Sequence, residues 1–188
     1  MVDWTRMEDG DAVDHQRLAA TYEAHATEHL VDHLLDAVRR MEGPTLGYQV
    51  DRARHSRQSA TRALRNGEST EFVVAALLHD IGDDLAPHNH SAVAAAVLEP
   101  FVSDETTWVI GHHGLFQGYY YFHHLGGDRD ARERLAASPY FERCVDFCAS
   151  YDQNCFDPAH DDLALEEFRP MVAEIVSRPR RFGTEGAA

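Results

Sequence analysis

The sequence predicts a single all-α domain. Apolar residues recur at helical spacing, Gly, Pro and Asn punctuate the chain between those stretches, and no alternating strand pattern interrupts them. The first convincing helix is expected over 28–41, where Leu30, Val31, Leu34, Leu35 and Val38 share a face and Gly43-Pro44 follows. A second is expected from Asp51 to Leu64, ending at Asn66-Gly67. A third is expected over 70–80, and its core Phe72-Val73-Val74-Ala75-Ala76-Leu77-Leu78 is apolar nearly all round, so it should be buried. An alanine-rich helix should run from His90 to Leu98, and another from the N-cap Ser103 to about His113. Residues 114–127 read as a Gly- and aromatic-rich loop. Helices are then expected over 128–137, from Ser138-Pro139 to Asp152, and over 165–176. The domain is placed at 28–176, with an acidic, partly helical lead-in at 1–27 and a disordered tail at 177–188.

Composition narrows the function classes. The formal net charge is -15 over 188 residues, and all 17 basic residues are arginine. Such a surface repels phosphate backbones, so no nucleic-acid partner is expected. No apolar run approaches membrane-spanning length and the N-terminus is polar and acidic, so a cytoplasmic protein with no membrane partner is expected. Cys144, Cys148 and Cys155 form no Cys-x-x-Cys pair and read as buried apolar thiols. The 13 histidines, by contrast, are many for this length and point to metal chemistry.

The central signal is Leu77-Leu78-His79-Asp80-Ile81-Gly82. A His-Asp dipeptide is a weak motif, and the chain carries a decoy at His160-Asp161 in a Pro/Asp-rich loop. His79-Asp80 differs because it ends a buried helix, where two ionisable side chains are costly unless something such as a metal ion satisfies them. Further ligands are available in His55, His90, His112 and Asp152, each near a helix end or on an apolar face. Four His and two Asp suit two ions bridged by a carboxylate, and imidazole with carboxylate fits iron or manganese. His113 competes with His112, since adjacent helical residues point about 100° apart. His88 competes with His90 in the same way.

The order His55…His79-Asp80…Asp152 resembles the H…HD…D pattern of the HD superfamily, and His90 and His112 match its dinuclear members. Within these, the stretch from Tyr48 to Met171 is similar to the mixed-valent di-iron oxygenases of organophosphonate breakdown. The resemblance implies a helical bundle with two irons, Fe(II)/Fe(III), in its core. One iron would take His55, His79 and Asp152, the other His90 and His112, with Asp80 bridging both and serving as the catalytic carboxylate. The implied reaction uses dioxygen to cleave the C–P bond of a 1-hydroxy-2-ammonioethylphosphonate that chelates the irons through its hydroxyl and phosphonate oxygens. The products would be phosphate and glycine betaine or glycine.

Members acting on a primary amine carry a glutamate seven residues before the first ligand, a histidine three residues after the HD aspartate, and a lysine four residues after the last histidine. Here Tyr48, Asp83 and Phe116 stand at those positions. The resemblance therefore implies a quaternary ammonium substrate, which aromatic faces suit through cation–π contact. The run Phe116-Gln117-Gly118-Tyr119-Tyr120-Tyr121-Phe122, with Tyr48 and Tyr151, supplies such faces. The expected substrate cradle draws on Tyr48, Gln49, Asp83, His113, Gln117, Tyr120 and Arg129. The alternative is an HD phosphohydrolase acting on a small phosphate ester, which would consume no oxygen. A non-catalytic regulatory module is disfavoured because all six ligand positions are filled.

Overall fold

In the computed structural model, which describes residues 1–180, helices account for all regular structure and no strand occurs among the described residues. The seven α-helices are α1 (Ala12–Arg40), α2 (Arg52–Arg65), α3 (Thr70–Leu78), α4 (His90–Leu98), α5 (Asp104–Gln117), α6 (Phe141–Phe147) and α7 (Arg169–Val176). The tail expected at 177–188 lies largely outside the described residues.

The starts of the helices follow from their caps. Asp11, Asp51, Ser69 and Ser103 each accept a hydrogen bond from the backbone N–H three residues on, which satisfies a donor that the first helical turn leaves open. Asp11 explains why α1 begins well before the expected residue 28. Only Leu34, Leu35 and Val38 of that helix are buried, so its first half is held by capping and by local bonds such as Arg17–Asp14 and Trp4 Nε1 to Asp14. Glu71 ties α3 to the start of α5 and to the chain just past α7: one carboxylate oxygen accepts from the Ser103 N–H, the Ser103 hydroxyl and the Thr106 hydroxyl, while the other faces Arg178 at 3.3 Å.

α3 is the central rod, with every residue from Phe72 to Leu78 buried. It packs against α2, whose buried face is built from Ala53, Ser56, Ser59, Ala60 and Ala63. Such small side chains let two helix backbones approach closely. α7 covers α3 from another side, and α5 pairs with both α4 and α6.

Two segments depart from expectation. The expected helix at 128–137 is only a 3₁₀ turn at Ala131–Leu135. The helix expected from 138 to 152 is α6 followed by one π-helical turn, Cys148–Asp152, in which the Gln153 N–H reaches back to the Cys148 carbonyl at 3.0 Å. α5 also runs one turn further than expected, to Gln117.

Gly82 sets the turn between α3 and α4. A Cβ there would lie 2.7 Å from the His90 carbonyl oxygen and 2.8 Å from its Cα, and backbone cannot yield as a side-chain tip can. Gly82→Ala is therefore expected to cost about 1–3 kcal/mol of stability, the usual range for overpacking. Urea unfolding of the variant beside wild type measures this, and an unchanged midpoint would contradict it.

Candidate metal centre

Five segments deliver side chains to one buried point. His55 comes from the first turn of α2, His79 and Asp80 from the end of α3, His90 from the first residue of α4, His113 from late in α5, and Asp152 from the π turn. π turns occur often at functional sites, since they redirect a side chain that a regular helix would point elsewhere.

Asp80 stands between two pairs of imidazoles. Its Oδ2 lies 3.5 Å from Nε2 of His55 and 3.5 Å from Nε2 of His79. Its Oδ1 lies 3.3 Å from Nε2 of His113 and 3.6 Å from Nε2 of His90. On the Oδ2 side, Asp152 Oδ1 is 3.3 Å from His55 Nε2 and 4.0 Å from His79 Nε2. Among the described residues, two groups are close enough to share an ion: His55, His79 and Asp152, and His79, Asp80 and His113.

The backs of the rings settle which nitrogen is free. Each Nδ1–H donates to a backbone carbonyl: His55 to Cys155 at 3.1 Å, His79 to Ala76 at 2.8 Å, His90 to Pro87 at 3.2 Å and His113 to Ile110 at 2.7 Å. A neutral imidazole so bound turns an unprotonated Nε2 inward. The centre is then a ring of lone pairs: four imidazole nitrogens facing carboxylate oxygens, with the His55 and His79 nitrogens only 3.1 Å apart. Asp152 Oδ2 is buried with no hydrogen-bond partner. Acceptors facing acceptors in a buried space repel unless cations lie between them, and metal ligands typically show this backbone anchoring of the remote nitrogen. The donor set of imidazole and carboxylate fits two iron or manganese ions.

Without metal, protons must supply part of that positive charge. Burial pulls His113 down, but the hydrogen bond and charge of Asp80 outweigh it and raise its pKa above the usual 6.5. Burial drives His79 the other way, to about 4, against the pull of Asp80 and Asp152. For Asp80 burial acts upward, and the surrounding imidazoles overcome it and hold the carboxyl well below the usual range.

The histidine of α5 is a correction to the sequence reading. His112 turns away: its Nδ1 bonds to the Trp108 carbonyl and its ring stacks on Trp108 at 4.2 Å. His113, 2% exposed, takes the inner position. Gly114 permits this, because a Cβ there would meet His90 Nε2 at 3.4 Å and Ser91 Oγ at 2.8 Å. His160 and Asp161 lie in a separate loop, with Asp161 exposed and paired to Arg65.

A cleft of about 620 Å³ opens onto Asp80, His90, His113 and Asp152. Of the expected cradle, Tyr48, His113, Gln117 and Tyr120 line it. Gln117 Nε2 donates to Asp152 Oδ1 at 3.0 Å, and its Oε1 is buried without a partner. Gln49 does not line the cleft. Arg129 is exposed and stacks on Tyr119, away from it, and Asp83 acts from outside, 3.1 Å from Arg52 Nε. Tyr151 is a core residue whose hydroxyl donates to Glu68. Phe156 and Arg52 are cleft residues that the sequence reading did not name. Phe156 stacks on both His55 and Tyr48, at 4.4 and 4.8 Å. Among the described residues Arg52 is the sole arginine lining the cleft, with Nη1 3.6 Å from Asp80 Oδ2 and its guanidinium 5.0 Å from the Tyr48 ring centroid. It stands three residues before His55, hence on the same helix face, and that spacing could have revealed it.

A family model described as HD domain matches residues 52–150. The chain belongs to the HD-domain family. A curated relative from Leisingera caerulea, 1-hydroxy-2-(trimethylamino)ethylphosphonate dioxygenase (glycine-betaine-forming), is 33% identical over 74% of this chain and 86% of its own.

Two outcomes are expected here. His113→Ala should lose about half of the bound metal and His112→Ala none, as measured by metal analysis of the purified variants. Loss from His112→Ala alone would overturn the assignment. The second concerns pH. A His held below its unfolded value binds fewer protons folded than unfolded, so His79 makes the metal-free protein less stable as pH falls from 6.5 towards 4. At one pKa unit per 1.36 kcal/mol the full effect is roughly 3 kcal/mol. His113, raised, acts oppositely: its contribution is present below 6.5 and is lost as pH rises through its folded pKa. Chemical denaturation of chelator-treated protein should thus show greatest stability near pH 6.5, and a loss of stability confined to pH below 4 would contradict the His79 part.

Proposed function

We propose that this protein is a di-iron oxygenase that cleaves the C–P bond of a 1-hydroxy-2-(trimethylammonio)ethylphosphonate. One dioxygen and one substrate would give glycine betaine, phosphate and a proton, so both oxygen atoms are used. The observation that carries this reading is the carboxylate of Asp80 between two imidazole pairs, in a chain 33% identical to a dioxygenase named for that substrate and product. His55, His79 and Asp152 would hold one iron, His90 and His113 the other, and Asp80 would touch both. A mixed-valent Fe(II)/Fe(III) pair bound there supplies dioxygen activation and removal of the hydrogen on the hydroxyl-bearing carbon.

The remaining work belongs to the cleft. Arg52 would meet the phosphonate, a role supported by its being a cationic side chain beside Asp80 and by its contacts with Asp83 and Tyr48. Tyr48 and Phe156 stack on each other and form one wall. Tyr120, Tyr121 and Phe122 form the rim, and their faces suit a trimethylammonium group, which has no N–H to donate. Gln117 orients Asp152 and leaves Oε1 directed at no protein donor. With His113 as the last histidine ligand, Gln117 replaces Phe116 as the residue four positions on, where primary-amine members carry lysine. A neutral amide there leaves the cation to the aromatic rim. The cleft volume, about 620 Å³, falls within the roughly 300–1,000 Å³ usual for small-molecule sites.

Oxygen uptake and phosphate release should be equal in moles when the iron-loaded protein receives the quaternary hydroxyphosphonate. Phosphate release without oxygen uptake would instead establish a hydrolase. The quaternary substrate should exceed its primary-amine analogue by about thirtyfold in kcat/KM, since a desolvated cation–π contact is worth roughly 2 kcal/mol. Equal specificity would remove the aromatic rim from the reading. Arg52→Gln should lower kcat/KM by about ten- to a hundredfold, the worth of a charge-assisted hydrogen bond, with iron content retained. Full activity in that variant would show that another group holds the phosphonate.

A further inference from the structure

A second polar hollow lies beside the C-terminal end of α2, lined by Arg62, Arg65, Asn66, Ser150, Asn154 and His160. It has no part in the chemistry above. Besides Arg52, α2 carries arginines at 54, 57, 62 and 65. Arg54 and Arg57 both pair with Asp162, at 3.0 and 3.2 Å, and Arg65 reaches the exposed Asp161 at 3.3 Å. Arg62 pairs with no carboxylate among the described residues, and its Nε is buried without a hydrogen-bond partner. His160 Nδ1, on the facing loop, is likewise buried and unpartnered. In a chain with 32 acidic residues against 17 basic ones, a half-buried arginine that faces neutral donors rather than a carboxylate is out of keeping with its surroundings.

We propose that this hollow is a binding site for a small tetrahedral oxyanion of the phosphate class. Arg62 supplies the charge, Arg65 a second guanidinium, and Asn66, Asn154, Ser150 and the His160 ring supply neutral hydrogen bonds. Burial together with Arg62 and Arg65 keeps the His160 pKa below its ordinary value, so the ring enters as a neutral donor. The hollow and the metal cleft share one wall. Ala149, Ser150 and Asn154 face the hollow, while Asp152, Gln153 and Phe156 of the same segment face the cleft. Within that segment the Cys155 carbonyl orients His55. An anion held in the hollow therefore bears on the strand of chain that positions two metal ligands. The proposal stands whether or not the oxygenase reading holds.

The test is calorimetric titration of the metal-loaded protein with inorganic phosphate, with sulfate and acetate as comparators. Phosphate and sulfate should bind and acetate should not. Arg62→Gln and, separately, His160→Asn should weaken phosphate binding about tenfold or more, the loss expected for one charge-assisted hydrogen bond. Arg52→Gln, which alters the metal cleft, should leave this binding in place. Two variants are used because either alone could fail to fold. Unchanged phosphate affinity in a folded Arg62→Gln or His160→Asn protein would overturn the proposal. So would complete loss of binding in Arg52→Gln, which would locate all of the phosphate at the metal cleft.

Discussion

The structure depends on one electrostatic constraint: the lone pairs of four imidazoles and two carboxylates converge on a volume from which water is largely excluded. Asp80 is 4% exposed and His55 and His79 are fully buried. No arrangement of neutral hydrogen bonds satisfies that cluster, because every ring has already given its remote N–H to a backbone carbonyl. The fold therefore has to offer either protons or metal ions, and the opposed pKa shifts of His79 and His113 show how unevenly protons serve. Metal binding at such a site releases protons, and its free energy adds to that of folding.

The packing around the centre follows from that demand. α3 is buried on all sides so that His79-Asp80 emerges at its end inside the domain. The small residues on the buried face of α2 bring His55 close, Gly82 lets the chain turn tightly enough for His90 to return, and Gly114 clears the space beside His113. The π turn at Cys148–Asp152 re-aims Asp152, and Gln117 fixes its rotamer.

Much of this was legible in the sequence. The helices α2 to α5 and α7 follow from periodicity and caps, and His79-Asp80 was distinguishable from His160-Asp161 by the apolar helix before it. Other features were not. His112 and His113 are adjacent, and which of them faces inward depends on how α5 lies against α6, a tertiary fact. The π turn has no residue signature, so 138–152 read as one regular helix. The first half of α1 has almost no apolar face and is specified by the single cap at Asp11. Arg52 was legible in principle through its spacing from His55, whereas Phe156 reaches the cleft only through the irregular path of the chain after Asp152.

The anchoring of the imidazoles has a consequence for how the centre assembles as the chain folds. His79, His90 and His113 each bond to the carbonyl three residues back, so their ring orientations are set within their own segments. His55 alone is held from afar, by a carbonyl 100 residues away, whereas His113 meets Asp80 across 33. The threefold longer loop adds only about 1 kcal/mol of closure entropy, because that cost grows with the logarithm of length. The difference between the two halves is therefore one of dependence rather than energy. The half containing His90 and His113 draws its ligands from α3 to α5 and takes from α6 only packing against His113, while the half containing His55 and Asp152 has its ligand and its anchor in the segment after α6. Damage to the C-terminal third of the chain would thus remove a ligand and a ring anchor from one half of the centre, and only packing support from the other.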